Sequence, residues 1–137
     1  MFCAQQVAEF RPHYSELRER GVNVAVIGSG SPHFARAFVE DRDIEMPVYS
    51  DEKRASFEAA GLKRGFCRVI DPRVMLKGAR AIFKYRQRKT MGDAFQQGGV
   101  LIVRRDGTVP YHYVSEYAGD HPPTADVVAE VFRAAAA

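Results

Sequence analysis

The 137 residues are 46% hydrophobic and 27% charged, which fits one soluble domain, 1–137, with a core large enough to need neither disulfides nor structural metal. The net charge of +3 conceals an asymmetry: residues 63–89 hold ten basic residues and one acidic one, whereas 1–62 and 90–137 are each acidic by three. The total therefore implies no specific nucleic-acid binding, and an anionic partner would meet that single segment.

From Cys3 to Arg20, Val7, Phe10, Tyr14 and Leu17 recur at spacings of three and four between charged residues, and Gly21 follows. The spacing predicts an amphipathic helix over 4–20, kinked at Pro12 and closed by Gly21. The apolar run 22–27 ends in Gly28-Ser29-Gly30 and predicts a strand of a parallel sheet. No third glycine stands at dinucleotide-binding spacing, so Gly28-Ser29-Gly30 is a strand-to-helix turn. A helix over 32–42 follows, with Ser31 as cap and Pro32 in its first turn. Residues 46–49 predict a strand, and 52–60 a helix capped by Ser50 or Asp51 and closed by Gly61.

A helix is expected over 73–88, with Arg73, Lys77, Arg80, Lys84 and Arg88 on one face. That face is either an ordinary solvated surface or a docking site for an anionic membrane, a nucleic acid or an acidic protein. Strands at 100–105 and 108–116 flank Asp106-Gly107, a hairpin signal. The last helix starts at about Thr124 and presents Val127, Val128, Val131 and Phe132. Alternating β and α elements predict a layered α/β domain.

Cys3 and Cys67 are the only cysteines, and His13, His33, His112 and His121 stand singly, so no disulfide framework or zinc-ligand spacing exists and no metal site is expected. No apolar run reaches the length of a membrane span, and the first twenty residues lack a signal-peptide core, so a cytoplasmic location is expected. Cys3 stands at a predicted helix start, where amide donors and the macrodipole favour a reactive thiolate; the alternative for a lone cysteine is a small buried hydrophobe.

The stretch Phe2-Cys3-Ala4-Gln5-Gln6-Val7-Ala8-Glu9-Phe10 resembles the residues around the second cysteine of a Cys-x-x-Cys motif in the peroxiredoxin-like branch of the alkyl hydroperoxide reductase and thiol-specific antioxidant family. Val24 to Pro32, Met46 to Asp51, Gly92 to Val100 and Gly119-Asp120-His121-Pro122 resemble further blocks of that family. The resemblance implies a thioredoxin-like three-layer α/β/α sandwich with a mixed sheet. It implies a small peroxide as substrate, a thiol reductant of the thioredoxin or glutathione kind, and neither organic nor metal cofactor.

In that alignment the first motif cysteine falls one residue before Met1, and the strand leading into the motif, between 22–27 and 100–103, is missing as well. A start upstream of Met1 is the expected explanation; the alternatives are a natural remnant and an upstream stretch read as untranslated because its first redox residue is encoded unusually. In the chain from Met1, Cys3 is the resolving or sole redox cysteine. Cys67 is either a resolving partner for a sulfenic acid on Cys3 or a packed apolar residue beside Phe66 and Val69. The loop Gln97-Gly98-Gly99 either approaches the redox motif and offers backbone amides to substrate or is a plain turn. Two functions fit: a thiol-dependent peroxide reductase, and a non-catalytic thioredoxin-like interaction module. Unpaired strand edges further imply an oligomer or a marginally stable chain.

Overall fold

The computed structural model describes residues 2–64, 96–117 and 119–136. The helix expected over 73–88, Cys67 and the basic segment beyond residue 64 lie outside them.

The predicted helix over 4–20 is two helices, α1 (Phe2–Phe10) and α2 (Tyr14–Glu19), separated by a 3₁₀ turn at Arg11–His13. Pro12 has no N–H to return to the carbonyl one turn back, so the α-helical ladder is interrupted there instead of merely bending. Gly21 closes α2 as expected: its N–H donates to the Arg18 carbonyl, and the Val22 N–H donates to the Leu17 carbonyl, both at 2.9 Å.

Strand β1 is Val26–Gly28, shorter than the predicted 22–27, and pairs in parallel with β2 (Val48–Ser50) in the register Val26↔Val48. Pro47 sets this boundary: its carbonyl accepts the Val26 N–H at 2.9 Å, but it has no N–H with which to extend the ladder. Met46, expected in the second strand, precedes it and is buried in the core.

Between these strands runs α3 (Pro32–Arg42), at its predicted bounds. Ser31 occupies the N-cap position in extended conformation, but its hydroxyl makes no capping bond. Helix α4 (Ala55–Ala59) starts later than predicted because Arg54 turns left-handed at φ 59°. Asp51 still satisfies its first turn, its carboxylate accepting the Ser56 N–H at 2.8 Å and the Ser56 hydroxyl at 2.5 Å. Those two bonds, the hydroxyl foremost, hold the Asp51 carboxyl below the usual range.

The predicted hairpin is present as β3 (Gly99–Ile102) and β4 (Tyr111–Val114), antiparallel, with Gly99 opposite Val114 and Ile102 opposite Tyr111. Both strands are shorter than expected because Pro110, which would face Val103, has no N–H for the ladder. Asp106-Gly107 forms the turn: Gly107 adopts φ 86°, and the Asp106 carboxylate accepts both the N–H and the hydroxyl of Thr108. Helix α5 (Thr124–Ala136) buries Val127, Val128 and Val131, as its spacing predicted.

The described strands form two separate two-stranded sheets, β1–β2 and β3–β4. Both rest on one helical layer. Val7, Ile44 and Met46 join α1 and α3 to Val24, Val26 and Val48, while Leu17, Val127 and Val131 join α2 and α5 to Val22, Val24, Val100, Ile102 and Tyr111. The alternate residues Ile27, Tyr49 and Leu101 point to the other face and are exposed. On that face a side chain at Gly99 would collide with Leu62 and with the Tyr113 carbonyl, so only glycine fits. His112 Nε2 lies 2.7 Å from the Ala60 carbonyl, bringing the end of α4 over the hairpin.

The segment after β4 is folded back by Asp120, which accepts the Tyr113 hydroxyl at 2.7 Å and the Glu116 N–H at 2.8 Å.

Leu17, 1% exposed, has no room to relax, so Leu17→Ala is expected to lower the unfolding free energy by about 2–5 kcal/mol in urea titrations. The hydrogen bond to Asp120, reinforced by burial, pushes the Tyr113 phenol from 10.0 up to about 12. A group raised in this way stabilises the fold fully below its unfolded value and loses that contribution as pH climbs through the folded one. Melting temperatures of the parent should therefore fall more steeply between pH 10 and 12 than those of Tyr113→Phe. The same variant should lose about 1 kcal/mol at neutral pH.

Candidate functional site

Cys3 is the second residue of α1, so its backbone lies in the first helical turn, where amide groups have no intrahelical acceptor and the macrodipole is positive. The helix begins at Phe2, two residues earlier than the sequence predicts.

The second half of α1 is anchored by Val7, 8% exposed within the Ile44–Met46 cluster, and by Phe10, which packs against both core clusters. Its polar side is organised by Glu9. One carboxylate oxygen accepts Gln5 Nε2 at 3.0 Å, and the other accepts the Thr124 hydroxyl of α5, also at 3.0 Å. The bond from Gln5, then that from Thr124, holds the Glu9 carboxyl below the usual carboxylate range, with His121 adding a smaller electrostatic contribution. Among the described residues, two buried polar atoms have no hydrogen-bonding partner, Gln6 Nε2 of α1 and His121 Nδ1 of the segment entering α5.

The loop before β3 is tied down from several sides. Gln97 is 2% exposed and its N–H donates to the Lys63 carbonyl at 3.0 Å, while the Gly98 carbonyl accepts the Ser115 N–H at 3.1 Å. Gln96 Nε2 donates to the carbonyls of Lys63 and Gln97 at 3.2 and 3.0 Å. The Gln97 amide is thus committed within the protein, and Gly99 opens β3 under Leu62. An ion pair between Lys63 and Glu116 closes the same corner.

The structure therefore gathers Gln97, Gly98 and Gly99 around Lys63 and Ser115, and sets Cys3 at the head of the helix that Glu9 links to α5. Among the described residues no group of three or more His, Cys, Asp and Glu could hold a metal ion, and no helix is long and apolar enough to cross a membrane. Sequence reasoning missed Glu9 and Thr124. The Gln5–Glu9 spacing of four was visible, but the partner 115 residues away carried no local signal.

A profile of the AhpC/TSA antioxidant enzymes matches residues 9–116, most of the chain, beginning after Cys3. A thioredoxin-like protein AAED1, chloroplastic, from Arabidopsis thaliana is 27% identical over 138 residues, covering 93% of this chain and 56% of that protein. The prostamide/prostaglandin F synthase of Salmo salar is 27% identical, covering 91% of this chain and 65% of its own length, and that of Xenopus tropicalis is 28% identical, covering 77% and 56%. The chain thus spans between 56% and 65% of the length of these relatives. Helices and small sheets in this order, together with the profile match, make the fold thioredoxin-like and the chain a member of the AhpC/TSA antioxidant enzyme family.

Proposed function

We propose that this chain carries part of a peroxiredoxin-like thiol oxidoreductase in which Cys3 is the redox or resolving cysteine. The observation that carries the proposal is the place of Cys3 in the first turn of α1, in a chain of this family. As the attacking group, the Cys3 thiolate displaces an alcohol or water from a peroxide oxygen and becomes a sulfenic acid. A second thiol then condenses with it to a disulfide, releasing water, and an external dithiol or two thiols reduce that disulfide while becoming oxidised themselves. As the resolving group, Cys3 supplies the second thiol. The reaction draws its electrons from the thiol reductant, so no organic or metal cofactor enters it.

Gln97, Gly98 and Gly99 stay in the proposal as a substrate-side loop. Their fixed backbone suits them to shaping a cavity wall more than to donating the Gln97 amide, which Lys63 already engages. Cys67 stays as a candidate resolving thiol, and the cytoplasm as the compartment, where two cysteines without framework spacing stay reduced.

A second reading is supported by the two separate sheets: strand edges of β1 and β3 that no described strand pairs are templates for another strand, as in a non-catalytic interaction module or a homo-oligomer.

Peroxide consumption with a thiol reductant should fall by at least tenfold in Cys3→Ser, read as loss of NADPH oxidation in a coupled assay. Equal rates would sink the redox role. Cys67→Ser should leave turnover within about twofold if Cys67 only packs, whereas loss of a reversible intramolecular disulfide on non-reducing gels would assign it the resolving role. Light scattering separates the second reading: an oligomer with no peroxide consumption favours the module, and a cooperative monomer that consumes peroxide removes it.

A further inference from the structure

We propose that the outer edge of β2, together with the groove between β2 and α3, is a two-fold homodimer interface in which β2 pairs antiparallel with β2 of a second copy around Tyr49. The proposal goes beyond the redox reading and does not depend on Cys3. Among the described strands β2 has β1 as its single neighbour. In that ladder the Val26 N–H donates to the Pro47 carbonyl and the Asp51 N–H to the Gly28 carbonyl. Pro47, Tyr49 and Asp51 therefore turn their backbone groups toward β1, and Val48 and Ser50, by the alternation of a strand, turn theirs outward. Two N–H and two C=O groups stand in a row at this edge, with no proline, charge or bulge between them to discourage pairing.

Those four groups are self-complementary. An antiparallel pair centred on Tyr49 sets Val48 opposite the partner's Ser50 and Ser50 opposite the partner's Val48. Each is a hydrogen-bonded pair, so all four edge groups are satisfied by two-fold exchange. Tyr49 meets the partner's Tyr49 as the closer, non-hydrogen-bonded pair, and its ring, 58% exposed in the single chain, gains an aromatic neighbour across the strands.

On the opposite face an open groove of about 420 Å³ runs between β2 and α3, with Ala35, Val39 and Val48 along its floor and Arg36 and Glu40 at its rim. Val39 and Val48 also pack on the Val7–Ile44–Met46 cluster, so the groove continues the core outward. Helix α3 has eleven residues and none is fully buried, as expected of a helix with one flank uncovered. Arg36 and Glu40, one turn apart, are both exposed, and neither has an ionic partner among the described residues. A two-fold axis normal to the sheet at Tyr49 runs α3 antiparallel to its counterpart and brings Arg36 level with the partner's Glu40, and Glu40 level with the partner's Arg36. This reciprocity selects a second copy as the occupant, because an isologous interface requires each patch to carry its own complement. A three-residue edge and one helix flank make a small contact, so the dimer is reversible and forms in the range of about 10–100 μM.

Disulfide trapping tests the register. In a Cys3→Ser, Cys67→Ser background, Tyr49→Cys should give a covalent dimer under mild oxidation, because Cα atoms of a non-hydrogen-bonded pair lie about 4.5 Å apart, within disulfide reach. Ile27→Cys and Leu101→Cys, exposed on the same face of β1 and β3, should stay monomeric. Cross-linking at either of these in place of Tyr49 assigns the contact to the edges of β1 and β3 and overturns the proposal.

Sedimentation equilibrium of the intact chain reads the dissociation constant. Arg36→Glu and Glu40→Arg should each raise it by about tenfold or more, since like charges then face each other, and the double variant should return to within about threefold of the parent. A parent chain that stays monomeric up to about 1 mM, unchanged constants in the single charge reversals, or no recovery in the double variant overturns the interface. The redox role fails by a separate result, undiminished peroxide consumption in Cys3→Ser, on which none of these measurements depends.

Discussion

The contact on which the rest of the molecule depends is the meeting of Leu17 from α2 with Val127 and Val131 from α5. These side chains are 1%, 2% and 8% exposed, and Val100, Ile102 and Tyr111 of the hairpin and Val22 and Val24 of the segment leading into β1 converge on them. Because no ladder joins β1–β2 to β3–β4 among the described residues, the link between the two sheets is side-chain burial, through Phe10 and Val24, which pack both on this contact and on the Val7–Ile44–Met46 cluster under β1–β2. Burial of each such side chain contributes about 1.5–3 kcal/mol and is not directional. The direction comes from the edges of the floor: the Arg20 guanidinium stacks 4.2 Å from the Phe132 ring centre, and Arg104 Nε donates to the Ala134 carbonyl in the last turn of α5 at 3.1 Å.

Backbone donors, more than side-chain propensity, set the lengths of the elements. Pro12 divides the first helix, Pro47 delays β2 and with it the paired part of β1, and Pro110 shortens the hairpin. Two non-glycine residues in the left-handed region, Asp43 at φ 50° and Arg54 at φ 59°, stop α3 and delay α4. Such a conformation costs an L-residue about 1–2 kcal/mol. At Asp43 the cost is offset by the bond from the Ile44 N–H to the Val39 carbonyl and by burial of Ile44 to 7% exposure.

The polar tie between α1 and α5 lies at the margin of this core. Helix α1 packs Val7 and Phe10 into the core, and on its polar side the Glu9 carboxylate accepts the Thr124 hydroxyl of α5. The loop of Gln96, Gln97 and Gly98 is the opposite case: short hydrogen-bonded steps to Lys63 and Ser115 fix it independently of α1.

The sequence by itself determined the order of the elements, the bounds of α3, the hairpin turn at Asp106-Gly107, the apolar face of α5 and the family. Each of these is written in local spacing, in turn residues with restricted φ, or in blocks of residues contiguous in the chain. Cys3 as a candidate was legible for the same reason, since a helix start is a local event. Only the tertiary structure decided that β1 begins at Val26, because that depends on Pro47 across the ladder, and that Gly99 must be glycine, because Leu62 occupies the space. The Glu9–Thr124 bond was equally hidden. It joins residues 115 apart through the packing of two helices, and neither residue's neighbours in sequence encode the other's position.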